Sequence, residues 1–398
     1  MSYYQNKSFN RGGRARYSNN NNRSFSRGPK KAYINPSKFI KSAEIEDVAD
    51  FQPKHAFSDF NVHPLIKENI AKMGYTKPSP IQDQTIPIGL NRQDVVGIAN
   101  TGTGKTAAFA VPLLNRLMTE QNTRAIILAP TRELAQQIEE QCRQLAKSSG
   151  IDGALLIGGV PMGPQLRELR FNPRIVIGTP GRIKDHSERR SLNLANFNIV
   201  VLDEVDRMLD MGFINDITHI LSKTSPQKQS FYFSATLNDK IKSIINGFSV
   251  DPVHISVKTG ETGKNIDQNV VRFNSSRDKI EKLHELLIQD KVAKTLVFND
   301  THRSVEKLAT ELGARGFSID AIHGGKSQSQ RQRVLKKFKD NQINVLVATD
   351  VAARGLDVFD ITHVINYSSP HSYEDYVHRI GRTGRAGKIG YALTFIEQ

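Results

Sequence analysis

The chain of 398 residues is long enough for two or three domains and has a formal net charge of +15. That charge favours a polyanionic partner, although a soluble basic protein without a specific partner would have the same composition. The single cysteine, Cys142, excludes an intramolecular disulfide and fits a reducing compartment. No apolar run approaches the roughly 18 residues of a membrane span, and the polar N-terminus does not resemble a signal peptide. We therefore expect a cytoplasmic protein with no membrane partner.

The first 31 residues form a low-complexity segment rich in Asn, Ser, Arg and Gly, with eight Lys or Arg and no acidic residue. Such a segment buries too little apolar surface to fold alone, so we predict a disordered basic tail, followed by a linker that ends at residue 54. Its arginines and aromatic residues suit single-stranded nucleic acid. The alternative is a tail that only improves solubility.

The stretch 95–106, VVGIANTGTGKT, joins a short apolar strand, a glycine-containing loop and the start of an Ala-rich helix. The loop can point its backbone N–H groups inward, Lys105 can reach the β and γ phosphates, and the Thr106 hydroxyl can ligate Mg²⁺. Ala99 stands where the usual phosphate-loop pattern has its first glycine, so the match is partial. The stretch predicts a nucleotide phosphate site.

Apolar strand-like runs alternate with helical patterns along the chain, which predicts parallel sheets with right-handed crossovers. We expect two α/β domains, 55–257 and 268–398, joined by a polar linker at 258–267. Besides the run before the phosphate loop, strands are expected at 125–129, 154–157, 175–177, 199–202, 231–233, 270–273, 295–298, 318–322, 344–348, 363–366 and 391–395. Only the first domain has a phosphate loop, so the two domains suggest a cleft that closes on nucleotide.

Acidic and hydroxyl side chains follow two predicted strands of the first domain. Asp203 can hold Mg²⁺, and the adjacent Glu204 can polarise an attacking water, as in-line phosphoryl transfer requires. The alternative is an acidic helix start that favours the helix dipole. Ser234 and Thr236 follow the strand at 231–233 and either cap a helix or couple the nucleotide site to the rest of the domain.

Other loops after predicted strands offer N–H groups, hydroxyls and guanidinium groups to a nucleic-acid backbone, at 130–135, 158–159 and 179–182. Each of these alone is more often a helix cap. In the second domain, Arg382 and Arg385 are candidates to stabilise the charge of a phosphoryl transition state. Arg379 instead fits a basic helix C-terminus.

In chain order, these stretches resemble the motifs of a bacterial-type DEAD-box ATP-dependent RNA helicase of helicase superfamily 2. The resemblance covers about residues 57 to 398. It rests on Phe57 with GYTKPSPIQ, then ANTGTGKT, PTRELA, Gly158-Gly159, TPGR, DEVD, SAT, LVFND, HGGKSQSQR, ATDVAARGLD and HRIGRTGR. Each motif alone is weak, but the ordered set is highly specific. It implies two tandem RecA-like domains.

The resemblance also implies a role for each matching position. Gln82 would read adenine, with Tyr75 stacking on it. The catalytic residues would be Lys105, Asp203, Glu204, Arg382 and Arg385. ATP would contact Phe57, Tyr75, Gln82, Thr101, Gly102, Thr103, Gly104, Lys105, Thr106, Asp357, Arg382 and Arg385. Mg²⁺ would be held by Thr106 and Asp203. RNA would contact Thr131, Arg132, Gly158, Gly159, Thr179, Gly181, Arg182, Gln328, Arg331, Thr349 and Arg354. Hydrolysis and strand separation would be coupled through Asp206, Ser234, Thr236 and His378.

The implied activity is RNA-stimulated ATP hydrolysis that unwinds or remodels short RNA duplexes locally. The alternatives are an ATP-controlled RNA clamp or annealing chaperone, and a translocating DNA helicase, against which the GYTKPSPIQ segment argues. Two positions depart from the family pattern. Val205 stands where the family has Ala, and the loop 299–301 matches its motif only loosely.

Overall fold

The computed structural model describes residues 34–44, 51–100, 102–257, 264–289, 291–353, 358, 360–384 and 388–398. Several predicted sites lie outside these residues, namely the tail before residue 34, Thr101, Arg354, Asp357 and Arg385, as does the part of the linker at 258–263. Within the described ranges, no helix combines the length and apolar character needed to cross a membrane.

The first domain is built on a seven-stranded sheet in the order β3-β4-β2-β5-β6-β1-β7. Its strands are β1 (Val95–Ala99), β2 (Ala125–Leu128), β3 (Gly153–Leu156), β4 (Ile175–Gly178), β5 (Ile199–Leu202), β6 (Gln229–Ser234) and β7 (Val253–Val257). Every neighbouring pair is parallel, as predicted. The sequence did not predict β7, because this edge strand is only partly buried and has no continuous apolar run.

Helices cover both faces of this sheet. They are α1 (Pro64–Lys72), α2 (Pro80–Leu90), α3 (Lys105–Thr119), α4 (Arg132–Leu145), α5 (Met162–Arg170), α6 (Pro180–Glu188), α7 (Val205–Asp210), α8 (Ile214–Lys223) and α9 (Asp239–Phe248). Successive residues of β6 serve opposite faces, since side chains alternate along a strand. Phe231 and Phe233 pack with Phe109 of α3 on one face, while Tyr232 belongs to the apolar cluster on the other.

The second domain has a six-stranded parallel sheet in the order β10-β11-β9-β12-β13-β8. Its strands are β8 (Ile266–Phe273), β9 (Thr295–Phe298), β10 (Ile319–Ile322), β11 (Val345–Ala348), β12 (His363–Asn366) and β13 (Gly390–Glu397). Its helices are α10 (Ser276–Leu287), α11 (His302–Ala314), α12 (Gln328–Lys339), α13 (Asp350–Ala353) and α14 (Tyr373–Ile380). Strand β8 begins at Ile266, inside the predicted linker, because it pairs with β13 from that residue onward.

Residues 34–44 differ from the prediction of a linker. They contain a 3₁₀ turn, Pro36–Phe39, and Lys41 forms an antiparallel bridge with Gln268 of β8. A segment that precedes the first domain in sequence therefore packs on the second domain. Its burial depends on residues more than 200 positions away, which no local pattern reveals.

Close approach of two strands at Gly178 gives a test of the fold. A Cβ added to this last residue of β4 would lie 2.1 Å from the carbonyl oxygen of Leu156 in β3. We expect Gly178→Ala to destabilise the first domain by about 1–3 kcal/mol, lowering its thermal midpoint by several degrees. Gly247→Ala in α9 is the control, because an added Cβ meets nothing within 4 Å there. Equal midpoints for the two variants would contradict the packing described.

Candidate active site and nucleic-acid interface

The predicted site loops lie at the carboxyl ends of the strands and divide between two halves of the first sheet. The neighbouring strands β5, β6 and β1 end in DEVD, SAT and the phosphate loop. The neighbouring strands β3, β4 and β2 end in the Gly158-Gly159, TPGR and PTRELA loops. Predicted nucleotide and RNA residues are thus adjacent on the edge where ligands of parallel sheets bind.

The phosphate loop has the backbone of an anion cradle. Gly102 and Gly104 adopt φ angles of +82° and +89°, which L side chains rarely adopt, and Gly104 caps the N-terminus of α3. The buried Lys105 turns back across the loop, and its Nζ donates to the carbonyl oxygen of Ala99 at 3.1 Å. Thr106 follows in the first turn of α3 and is half-buried. The loop, helix N-terminus and ammonium group together fit nucleotide phosphates.

Gln82 is tied to the phosphate loop. Its Nε2 donates to the carbonyl oxygen of Gly104 at 3.1 Å, and its Oε1 accepts from the backbone N–H of Ser79 at 2.9 Å. The Ser79 hydroxyl in turn donates to the carbonyl oxygen of Thr103 at 2.7 Å. A contact from Gln82 to adenine stays a prediction. What the structure places there is a link between the start of α2 and the loop.

The two aromatic residues predicted to contact ATP lie together. The ring of Phe57 is buried and meets that of Tyr75 edge-on, with centroids 5.8 Å apart. The Tyr75 hydroxyl accepts from Nε2 of Gln141 on α4 at 2.8 Å. The half-buried Tyr75 is therefore held in one orientation by its hydroxyl and its ring edge, while stacking on a base stays a prediction.

Three carboxylates are buried directly after β5. Asp203, Glu204 and Asp206 are only 2%, 6% and 7% exposed. Glu204 has a φ of +54°, an uncommon conformation for a residue with a side chain, and its N–H donates to Oδ1 of Asp203 at 3.0 Å. Strained backbone of this kind often marks a functional site.

The charge balance of this cluster fits a divalent cation. Burial raises the pKa of Asp203 to about 6, the charge of Lys105 opposes that rise, and the charge of Glu204 adds to it. Among the described residues, no group of three or more His, Cys, Asp or Glu side chains could hold a metal. The sequence prediction that Asp203 and Thr106 hold Mg²⁺ stays a prediction.

Arg207 is a site residue that the sequence analysis missed. Its guanidinium forms an ion pair with the Glu204 carboxylate, and the two side chains are only 4% and 8% exposed. Both belong to the start of α7, where residues three apart share a face. The three-residue spacing of Glu204 and Arg207 in the sequence was the feature that could have predicted this ion pair. The pair fixes the side chain predicted to orient the attacking water.

Asp206 joins the DEVD and SAT segments. Its Oδ2 accepts from the backbone N–H groups of Ala235 and Thr236 at 3.0 and 3.1 Å, and its own N–H donates to the Ser234 hydroxyl at 3.3 Å. The cap of α9 is Asn238, so the helix-cap alternative for Ser234 and Thr236 is wrong. The residues of the first domain that are predicted to couple hydrolysis to strand separation are in direct contact, and their coupling role stays a prediction.

Val205, the departure from the family pattern, points into the core. Its side chain is fully buried in the apolar cluster that also contains Leu202 and Met208. The two extra methyl groups, compared with Ala, are therefore accommodated among apolar neighbours. The three carboxylates keep their hydrogen bonds and ion pair.

The predicted RNA loops of the first domain bring guanidinium groups together. The Arg132 guanidinium lies against Gly158 and Gly159, and a Cβ on Gly159 would lie 2.0 Å from Nη1. Nη1 of Arg182 donates to the carbonyl oxygen of Val160 at 2.9 Å. Burial, with the charges of Arg331 and Arg182, lowers the pKa of Arg132. Clustered cations beside glycine-lined backbone suit the phosphates of a nucleic acid.

Thr131 and Thr179 are the N-cap residues of α4 and α6, and both are buried. The Thr131 hydroxyl accepts from the N–H of Leu134, whereas the Thr179 side chain forms no cap hydrogen bond. Gly181 lies in the first turn of α6, where an added Cβ would approach Asp216 and Phe213. Contacts from them to RNA stay predictions.

Gln328 and Arg331 of the second domain contact α4 of the first. Nε of Arg331 donates to Oε1 of Glu133 at 2.8 Å, and both side chains are buried. Nε2 of Gln328 lies 3.2 Å from Oε1 of Gln136. The sequence predicted RNA contacts for Gln328 and Arg331 and missed Glu133 altogether. An RNA contact stays a prediction, and the structure adds a role in joining the domains.

The motifs of the second domain also gather at the ends of their strands. Thr349 follows β11, and its buried hydroxyl has no hydrogen-bond partner in the described part of the chain. Arg379 is fully buried and forms two hydrogen bonds to the Asp350 carboxylate, at 2.6 and 2.7 Å. It lies in the last turn of α14, as the helix C-terminus interpretation predicted, and the structure adds an internal ion pair that the sequence did not reveal. His378 lies in the last turn of α14, and the buried Arg382 follows that helix.

Comparison with known proteins decides the family. Residues 79–244 match the DEAD/DEAH box helicase family, and residues 278–387 match the helicase conserved C-terminal domain. The chain is 47% identical over 342 residues to the DEAD-box ATP-dependent RNA helicase CshA of Bacillus subtilis, covering 85% of this chain and 69% of that protein. The chain belongs to the DEAD-box helicase family. The family predicted from the ordered motifs is confirmed.

Solved structures support the same fold. A DEAD box protein from Methanococcus jannaschii is 41% identical, with 86% of this chain and 93% of that chain covered and a TM-score of 0.51. S. cerevisiae Dbp5 bound to RNA and ADP BeF3 is 28% identical, with 86% and 90% covered and a TM-score of 0.76. The prediction of two RecA-like domains is confirmed. The higher score at lower identity indicates that the two domains are arranged more like those of the RNA- and nucleotide-bound protein.

The ion pair of Glu204 gives a first test of this DEAD-box site. In Arg207→Met the Glu204 carboxylate loses the group that fixes it, so we expect kcat for ATP hydrolysis to fall on the order of tenfold to a hundredfold. KM for ATP should change little, because other residues contact the phosphates. Arg207→Lys keeps a cation and should recover most of the rate. A kcat within twofold of wild type for folded Arg207→Met, assayed well below its thermal midpoint, would contradict this role.

The contact between the domains gives a second test, a double-mutant cycle. Glu133→Gln and Arg331→Gln should each lower RNA-stimulated kcat/KM, and the double variant should lose less than the sum, with a coupling of about 1 kcal/mol or more. Glu139→Gln, on the same helix but without a bond to Arg331, is the matched control and should combine additively with Arg331→Gln. If the effects of Glu133→Gln and Arg331→Gln were also additive, the contact between these two residues would not contribute, and Arg331 would act only on RNA.

Proposed function

We propose that this chain is an RNA-stimulated ATPase that uses ATP to separate or remodel short RNA duplexes locally. The observation that carries the proposal is the buried pair Asp203 and Glu204 beside Lys105, on the same sheet edge as the guanidinium cluster of Arg132 and Arg182. A phosphate cradle with a general-base candidate serves hydrolysis, and neighbouring cations serve a polyanion.

In the proposed reaction the phosphate loop and Lys105 bind the β and γ phosphates of ATP. Thr106 and Asp203 would hold Mg²⁺, which when bound supplies charge neutralisation at the phosphates. Glu204, held by Arg207, accepts a hydrogen bond from the attacking water and orients it in line with the γ-phosphoryl group. Arg382, with Arg385 and Asp357 outside the described residues, would complete the site from the second domain.

RNA binding is proposed to use the sugar–phosphate backbone of one strand. Arg132, Arg182 and the Gly158-Gly159 loop would contact it from the first domain, and Thr349 from the second. Backbone contacts carry no sequence information, so we expect little sequence preference. The Thr349 hydroxyl supports this proposal because a buried hydroxyl without a partner costs free energy that a phosphate oxygen would recover.

Coupling is proposed to run through Asp206. Its hydrogen bonds to the SAT segment connect the end of β5, which is followed by Asp203 and Glu204, with the end of β6. The ion pair of Glu133 and Arg331 connects the two domains. Closure on ATP and RNA would bend one strand and release the other, and hydrolysis would reset the enzyme. We further propose that it acts in the cytoplasm, where its buried free thiol, Cys142, would stay reduced.

We do not favour an RNA clamp without hydrolysis. That alternative requires a spoiled site, and Val205 was the position that could have spoiled it. Its side chain packs in the core, and Lys105, Asp203 and Glu204 all keep their partners.

The test is the ATPase rate with and without single-stranded RNA. We expect strong stimulation for the wild type and a loss of roughly 10²–10⁴-fold in Glu204→Gln, the range of a general-base role. Asp239→Asn is the control, because that side chain is 99% exposed on α9, and its rate should equal that of the wild type. A wild-type protein that binds RNA and hydrolyses no ATP would overturn the proposal in favour of the clamp.

A further inference from the structure

Residues 34–44 make a side-chain anchor on the second domain. Phe39 is only 3% exposed, and its ring centroid lies 4.6 Å from that of Tyr376 on α14. The same apolar cluster contains Ile266 of β8 and Ile380 of α14. Burial of this Phe side chain removes a large apolar surface from water and so stabilises the docked segment.

The backbone of this segment adds to the edge of the second sheet. The N–H of Lys41 donates to the carbonyl oxygen of Gln268 at 3.0 Å, and the N–H of Gln268 donates back to Lys41 at 2.8 Å. The N–H of Glu44 donates to the carbonyl oxygen of Lys264 at 2.8 Å. Strand β8 is the edge of its sheet, so this pairing satisfies backbone groups that an uncovered edge would leave unpaired.

Ten residues further along, the chain is anchored on the first domain. The backbone N–H groups of Lys54 and His55 donate to the two carboxylate oxygens of Asp83 at 2.9 and 3.1 Å. Asp83 is buried on α2, two turns before the end of that helix. The same chain segment is therefore fixed at Glu44 to the second domain and at Lys54 to the first.

We propose that residues 34–44 act as an interdomain strap: docked on the second domain and covalently joined to the first through Lys54, they limit how far the domains separate when these are not closed on ATP and RNA. Ten residues span at most about 35 Å even when fully extended, so Glu44 and Lys54 cannot move further apart while the strap stays docked. The other path between the domains is the segment 258–263. The strap raises the effective concentration of one domain near the other and so favours closure.

The strap predicts a particular kinetic effect, which rests on the proposed RNA-stimulated ATPase. Looser domains close less readily, so more RNA is needed to reach half of the maximal rate. At saturating RNA closure is complete, and kcat stays unchanged. Packing that merely supports α14 would behave differently, because α14 carries Arg379 and precedes Arg382, and its disturbance would lower kcat.

The experiment lengthens the connection between the strap and the first domain without touching the strap's contacts. Twenty Gly/Ser residues inserted between Asp50 and Phe51 lengthen the path from Glu44 to Lys54 threefold. Effective concentration falls roughly as the −3/2 power of length for a sole linker, and the path 258–263 still joins the domains, so about fivefold is the upper bound. We therefore expect the RNA concentration for half-maximal ATPase to rise by up to about fivefold, with kcat unchanged. The matched control is the same insertion immediately before Ile34, which lies outside the two anchors and should leave both values unchanged.

A second pair of variants tests the anchor itself. Phe39→Ala should raise the half-maximal RNA concentration and speed hydrogen exchange at the amides of Lys41 and Gln268. Phe51→Ala, an exposed residue of the same region, should do neither. Equal values for the two insertions, or a lowered kcat in the lengthened variant, would overturn the strap. A wild type without RNA stimulation would overturn the proposed function instead, and unchanged exchange in Phe39→Ala would overturn the docking independently of activity.

Discussion

Three buried negative charges at the end of β5, the fourth of the seven strands in the first sheet, dictate the arrangement around them. A buried carboxylate is costly unless it is paired or hydrogen-bonded. Each of the three carboxylates interacts with a positive charge or N–H donor from a different structural element. Asp203 faces the charge of Lys105 from the phosphate loop, Glu204 pairs with Arg207 of α7, and Asp206 accepts N–H groups from the SAT segment. The end of β5 thereby holds the phosphate loop, helix α7 and the SAT segment in fixed positions relative to one another.

The requirement that a buried charge has a partner also explains how the two domains are joined. Glu133 is buried at the start of α4, and its ion-pair partner, Arg331, comes from the second domain. Separation of the domains would remove that partner and expose both groups to water, so closure exchanges hydration for a charge-assisted hydrogen bond. Arg331 also lies near enough to Arg132 to affect its pKa, which makes the interface and the guanidinium cluster one electrostatic unit. An RNA phosphate would reduce the repulsion within that unit.

The local parts of the site could be predicted from the sequence, while the long-range parts could not. The phosphate loop and DEVD are contiguous strand–loop–helix stretches, so their residue types and spacing define their geometry. The ion pair of Glu204 and Arg207 could have been predicted, since it depends only on helical spacing. The ion pair of Glu133 and Arg331 could not, because the two residues are 198 positions apart in the sequence. Phe39 was missed for the same reason, as was the ion pair of Arg379, because its partner, Asp350, lies on another helix.

The most direct test of a site completed by domain closure is a cross-link between the domains. Gln136→Cys and Gln328→Cys would place one thiol on each of two helices whose Gln side chains now lie 3.2 Å apart, within reach of a short bis-maleimide, which joins two thiols without an oxidant. Burial raises the pKa of the native Cys142 to about 12, which keeps it unreactive. We predict that the cross-link forms much faster with single-stranded RNA and a non-hydrolysable ATP analogue than without them. Equal rates in both conditions, or no cross-link in either, would contradict the account.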